Sequence, residues 1–368
     1  MNKARLNHLI NLLRDSELNA LAVNPGPTLA YLTGLCFHLS ERPVVLLLSP
    51  ITKPTLVLPE LEIGKIKTAA ISIEGFTYGD NPATWQDAFA RACRSVNLAG
   101  QTIGIEPEHF RYLELKYLEN SLPNARFVPA GSVLVNLRVQ KEPEEIEAMR
   151  KAVVIAQEAL KATLPQIHIG RTEREIAAIL SIEILKAGSD PEFPFSPIVA
   201  SGPNSANPHA MPTDRQLQKG DVLVVDWGAS YLGYCSDLTR TFAIGEVSDE
   251  FKQIAVIVEQ ANAAGKAEAG PEIMAGQVDT AARKVIEQSG YGPYFIHRTG
   301  HGLGMEGHEP PYIFAENNSP LITGMSFTLE PGIYLSGRGG VGIEDDVVIT
   351  PNGCECLSDL PRELIQIW

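Results

Sequence analysis

Residues 221–242 read DVLVVDWGASYLGYCSDLTRTF: an apolar strand run ends on Asp226, a glycine-containing turn follows, and the return strand begins beside Asp237. An unpaired ionised carboxylate inside or at the edge of such a strand costs roughly several kcal/mol, so something cationic must meet it. The pattern recurs downstream. Gly324-Met325-Ser326 runs through Glu330 and a glycine-rich turn to Glu344 and Val347-Val348-Ile349. One such carboxylate is explained by a salt bridge or a strand-end cap. Four in paired hairpins, with only Arg240, Arg298 and Arg338 nearby in sequence, are better explained by divalent metal. The echo also suggests a duplicated, pseudo-twofold half, although no simple repeat period accompanies it.

A chain of 368 residues is expected to form two domains. Apolar residues at 44% and charged residues at 20% exclude a disordered or coiled-coil chain. The net charge of −14 gives nucleic acid or an anionic membrane little electrostatic purchase and makes cations the better guests. The amino-terminal stretch has helical spacing broken by polar residues, and no window reaches the ~18 apolar residues of a membrane span, so a soluble, unexported protein is expected. Cys36, Cys93, Cys235, Cys354 and Cys356 are odd in number and scattered, which fits a reducing cytoplasm, and Cys354-Glu-Cys356 lacks the second pair a zinc site needs.

The first segment alternates helix and strand: a helix over 3–17, strands at 20–23, 44–48, 55–58 and 102–105, a helix over 107–122 and a strand at 125–128. It is read as an α/β domain, residues 1–135. Residues 136–368 are read as an α+β domain. In it Pro143 and neighbouring glutamates open a helix to about 164, further helices span 171–187, 249–268 and 276–289, and β-rich blocks lie at 195–200, 221–244 and 325–350.

Residues 297–309 supply His297, His301 and His308 among glycines that let backbone approach a ligand closely. No Gly-Lys-Ser/Thr follows, which argues against a phosphate loop. Four carboxylates and an imidazole exceed what one zinc site usually takes, and oxygen-rich ligation suits harder ions such as Mn²⁺. Two metals sharing bridging carboxylates fit that count and equip a hydrolase.

In order, Asp226, Asp237, His301 in Gly300-His301-Gly302-Leu303-Gly304, Glu330 in Thr328-Leu329-Glu330-Pro331-Gly332 and Glu344 in Ile343-Glu344-Asp345 resemble the five-ligand signature of the pita-bread metallopeptidases, which include prolidase, aminopeptidase P and methionine aminopeptidase. The first segment, with Tyr31-Leu32-Thr33-Gly34 and Leu137-Arg138-Val139-Gln140-Lys141 at the junction, is similar to the creatinase/prolidase amino-terminal domain, which selects the prolidase-like branch.

The resemblance implies that Asp237 and Glu344 bridge two divalent ions, Mn²⁺ foremost with Co²⁺ or Zn²⁺ as alternatives. Asp226 chelates one ion, and His301 with Glu330 completes the other. Glu330 also accepts the proton of the attacking water. His209 lines the substrate side, while His297 and His308 position the scissile carbonyl and stabilise its developing charge. The implied activity is cleavage of the Xaa-Pro bond in short peptides or dipeptides by metal-bridged hydroxide, in a cytoplasmic homodimer whose loop 36–42 reaches towards the partner. Two departures stand out: Gly342 replaces an arginine common two residues before the last glutamate, for which Arg338 or Arg298 would have to substitute, and Tyr312 replaces an arginine that pairs with a dipeptide's carboxylate. The alternatives are a creatinase-like C–N hydrolase of a small non-peptide substrate, and a metal-binding, non-catalytic homologue.

Overall fold

The computed structural model describes residues 2–368, which divide into two units, the first ending at Arg138 and the second running Val139–Trp368. The helix Gly131–Arg138 continues past the domain end read near residue 135, and the division falls after it.

The first unit is built on a six-stranded sheet in the order Glu74–Tyr78, Thr55–Pro59, Val45–Leu48, Ala20–Val23, Thr102–Ile105, Arg126–Pro129. Its central strand, Ala-Leu-Ala-Val, is buried throughout, because it pairs antiparallel on one side and parallel on the other with both faces covered. The amphipathic helix Trp85–Val96 sets Phe89, Ala92 and Cys93 into the core formed with Ala20, Ala22, Val45 and Val57. The helix expected over 107–122 is shorter, Tyr112–Ser121. Glu106 instead closes a turn, its carbonyl accepting from His109 and Phe110 at 3.1 and 2.7 Å while its carboxylate accepts from Thr28.

The second unit contains two helix pairs, Pro143–Thr163 with Glu173–Lys186 and Asp249–Glu268 with Ala275–Gln288. The first two open with reciprocal capping boxes, Glu142 with Glu145 and Thr172 with Glu175, which satisfy otherwise orphaned backbone donors. One sheet runs Ile365–Ile367, Leu238–Ile244, Val222–Trp227, Ile198–Ser201; the other runs Glu309–Ile313, Gly300–Gly302, Ser326–Leu329, Asp345–Thr350, Gly353–Cys356. In each half a small two-stranded ribbon separates the carboxylate-bearing strands: Ser230–Tyr231 with Tyr234–Cys235, and Gly332–Leu335 with Gly339–Gly342. This is the duplicated hairpin arrangement expected from the sequence. Among the described residues no helix is long and apolar enough to cross a membrane.

Candidate metal centre

Strand periodicity delivers the carboxylates. Val224 and Asp226 share a face, as do Asp237 and Thr239, Thr328 and Glu330, and Gly342 and Glu344, because side chains two apart on extended chain point the same way. All eight except Thr328 line one cavity of about 570 Å³, together with His209, His297, His301 and His308. His301 reaches its place because Gly300 packs against the neighbouring strand, where a Cβ would sit 1.8 Å from the Thr328 carbonyl oxygen.

Ligand atoms of Asp226, Asp237 and Glu344 lie within 4.8 Å of one another, and so do those of His301, Glu330 and Glu344. Asp237, His301 and His308 form a third such group. The first two share Glu344, an arrangement suited to two ions with a common carboxylate. The tautomer of His301 follows from its neighbours. Nδ1 faces the Gly302 carbonyl at 3.1 Å, and a carbonyl only accepts, so Nδ1 carries the hydrogen. Burial, reinforced by the charge of His308, lowers the pKa of His301 to about 3, so the ring is neutral. Its Nε2, left with a lone pair, lies 3.5 Å from Glu330 Oε1 and 3.7 Å from Asp237 Oδ2.

The remaining electrostatics agree with that reading. Burial first, and then the charge of Glu344, push Asp226, Asp237 and Glu330 well above the usual carboxylate range; burial raises Glu344 to about 7. Asp226 Oδ1 is buried without a hydrogen-bond partner. An orphaned carboxylate oxygen and an imidazole lone pair, set among further carboxylates, are what a divalent cation would satisfy, so the donor set fits metal.

Outer contacts that sequence reasoning missed hold the ligands. Thr239 Oγ1 donates to Glu344 Oε2 at 2.8 Å, Thr328 Oγ1 to Glu330 Oε1 at 3.2 Å, and the Asp237 amide to Asp346 Oδ2 at 3.0 Å. The two threonines stand on the ligand face of their strands, and that period-two relation was readable. Buried Arg240 donates to the Glu344 carbonyl at 2.8 Å and to Asp345 Oδ1 at 2.7 Å, which places a guanidinium behind the last ligand. Arg338 pairs with Glu250 at the surface, where its side chain is 53% exposed, so it does not substitute for an arginine at Gly342. A Cβ at Gly342 would lie 3.2 Å from the Tyr334 hydroxyl, which reaches His297 Nε2 at 3.2 Å. His297 Nδ1 faces the Arg298 carbonyl at 2.8 Å and must donate to it. Burial lowers the pKa of His297 to about 4, so Nε2 accepts from Tyr334.

The histidine loops have buried anchors. The fully buried Glu173 carboxylate accepts from the Ser201 amide and hydroxyl, both 2.7 Å, and from the Thr213 amide and hydroxyl at 3.0 and 2.7 Å, bracketing the exposed His209. Lys141 Nζ meets Glu309 Oε1 at 2.6 Å beside exposed His308, with both charged side chains buried.

Residues 147–351 match the model of metallopeptidase family M24. The chain belongs to that family. Residues 5–140 match the creatinase/prolidase N-terminal domain. A probable dipeptidase PepE of Mycobacterium tuberculosis is 38% identical over 96% of this chain and 93% of its own. An Xaa-Pro dipeptidase of Pyrococcus horikoshii is 34% identical over 98% of each chain. The crystal structure of a Thermococcus sibiricus prolidase superposes with a TM-score of 0.93 at 36% identity, covering 100% of this chain and 99% of that one. The protein is thus an M24 metallopeptidase with the pita-bread fold, and its family implies divalent metal ions.

Proposed function

We propose that this M24 enzyme hydrolyses the Xaa-Pro bond of dipeptides, with Asp226, Asp237, His301, Glu330 and Glu344 holding two divalent ions. The observation that carries the proposal is the unprotonated His301 Nε2 set between Glu330 and Asp237, in a donor set that shares Glu344. Relatives named Xaa-Pro dipeptidase and prolidase supply the substrate class. The oxygen-rich donors favour manganese, with cobalt and zinc as alternatives. A two-domain division near residue 135, a cytoplasmic location and a homodimer complete the proposal. The location rests on five free cysteines, the dimer on resemblance alone.

When bound, such an ion pair supplies Lewis acidity and an acidified water. The chain's own residues do the rest. Glu330, whose Oε1 is steadied by Thr328, accepts the proton of the attacking water and returns it to the leaving imino nitrogen. His308 donates to the carbonyl oxygen as charge develops there. His297 has both ring nitrogens engaged, so it orients the Tyr334 hydroxyl instead of donating to substrate. His209 closes the substrate side, and the free amine lies near Asp226.

A metal-free creatinase-like reaction is disfavoured by the complete donor set. Hydrolysis of Ala-Pro and Ala-Pro-Ala with added Mn²⁺ tests the proposal. Turnover of the dipeptide alone is expected; cleavage of the tripeptide would move the enzyme to the aminopeptidase class, and silence on both would sink the peptidase reading and leave the non-catalytic alternative.

A further inference from the structure

Arg298 is the cavity-lining residue with a permanent positive charge. Its guanidinium carbon lies 4.3 Å from the centroid of the Tyr312 ring, a stacked cation–π geometry. Among the described residues its side chain makes no hydrogen bond or ion pair, although four carboxylates share the cavity. The guanidinium thus stands with its N–H donors unused, in a cavity otherwise lined mainly by carboxylates, imidazoles and apolar side chains.

The support beneath it is rigid. On one side of Arg298, the His297 carbonyl accepts from Arg283 at 2.8 Å. On the other, the Thr299 amide and hydroxyl donate to Asp279 Oδ1 at 3.1 and 2.7 Å, and the same amide reaches the Ile313 carbonyl at 2.9 Å. Tyr312 is held through its carbonyl, which accepts from Asn317 at 2.6 Å. A planar, pre-positioned fork of donors matches a carboxylate in two-point contact.

We propose that Arg298, braced by Tyr312, receives the free α-carboxylate of the residue on the leaving side of the scissile bond and so selects dipeptides over longer peptides. This rests on the Xaa-Pro reading above. It also accounts for Tyr312 at the position where the resemblance leads one to expect an arginine: the tyrosine is the platform, and the guanidinium comes from the neighbouring strand's approach. Among the cavity-lining side chains, Arg298 alone brings a permanent charge that attracts an incoming carboxylate.

The test compares kcat/KM for Ala-Pro and its carboxamide in the Mn²⁺-loaded protein, wild type against Arg298→Gln. Binding of L-proline and L-prolinamide is measured in parallel by calorimetry. The wild type is expected to favour the free acid over the amide by about tenfold or more, as a charge-assisted paired contact implies. Arg298→Gln is expected to bring that ratio close to one and to weaken proline, but not prolinamide, by a similar factor. Because the ratio is taken within each variant, a general loss of folding or of metal cancels. A ratio unchanged by Arg298→Gln, or a wild type indifferent to the carboxylate, overturns the assignment while Ala-Pro turnover keeps the dipeptidase reading intact. Absence of wild-type turnover defeats the dipeptidase reading instead, and proline binding that is insensitive to Arg298→Gln then defeats the carboxylate site separately.

Discussion

Thr239 and Glu344 meet in a two-way backbone bridge, Glu344 N to Thr239 O at 3.0 Å and Thr239 N to Glu344 O at 3.4 Å, and the Thr239 hydroxyl donates to the Glu344 carboxylate at 2.8 Å. The two halves of the second unit are therefore joined at the residue both ligand clusters share. Thr239→Val keeps the shape and removes the hydroxyl. It is expected to weaken divalent-metal affinity by about tenfold, the lower end for loss of a ligand-orienting contact. Calorimetric titration with Mn²⁺ reads it, with the urea midpoint as a check on folding.

Arg240 is a second tie across the same seam. It is 3% exposed and donates to the carbonyls of Thr239, Glu344, Leu360 and Pro361 as well as to Asp345. Arg240→Met strands those acceptors and is expected to lower unfolding free energy by about 3–5 kcal/mol. Urea denaturation of the metal-free protein measures this without interference from ligand binding.

Both ties show where sequence reading stops. Asp226, Asp237, Glu330 and Glu344 were legible because a charge closing an apolar strand is an energetic anomaly within a few residues of chain. Thr239 and Thr328 obey the same local period and carried a usable signal. Arg240 was visible as a nearby cation, but its partners other than Thr239 lie more than a hundred residues away and follow from the tertiary fold. The Arg298–Tyr312 stack is likewise a product of pairing between Gly300–Gly302 and Glu309–Ile313. Five of the first unit's six strands declared themselves as short apolar runs; Glu74–Tyr78, Glu-Gly-Phe-Thr-Tyr and largely exposed or half-buried, did not, and the late start at Tyr112 goes with Glu106 turning to meet Thr28.

Asp226 contributes negative charge to a buried cluster whose members already repel one another. With metal removed by chelator, Asp226→Asn is expected to raise the urea midpoint above that of the wild type, by roughly 1 kcal/mol or more in stability. With Mn²⁺ added, the order reverses, because the wild type gains more binding energy than a variant lacking one ligand. Paired denaturation curves with and without metal check both halves.

The cysteines differ in reactivity. Burial pushes the thiols of Cys93, Cys235 and Cys354 up to about 12, so they remain protonated at pH 8, whereas Cys36 is exposed. A thiol-reactive dye at pH 8 is expected to label Cys36 rapidly in the native protein and to reach Cys93 and Cys235 only after unfolding, as peptide mapping of the labelled chain would show.

The central claim is that one shared cage of side chains makes this chain a metal-dependent peptidase, and Asp237 sits in two of its ligand groups. The most direct measurement is Mn²⁺-dependent hydrolysis of Ala-Pro by Asp237→Ala, with bound metal counted on the same sample. The account predicts a folded protein that binds fewer than two ions and has lost turnover by at least about a thousandfold. Near-wild-type turnover with two ions still bound would contradict it.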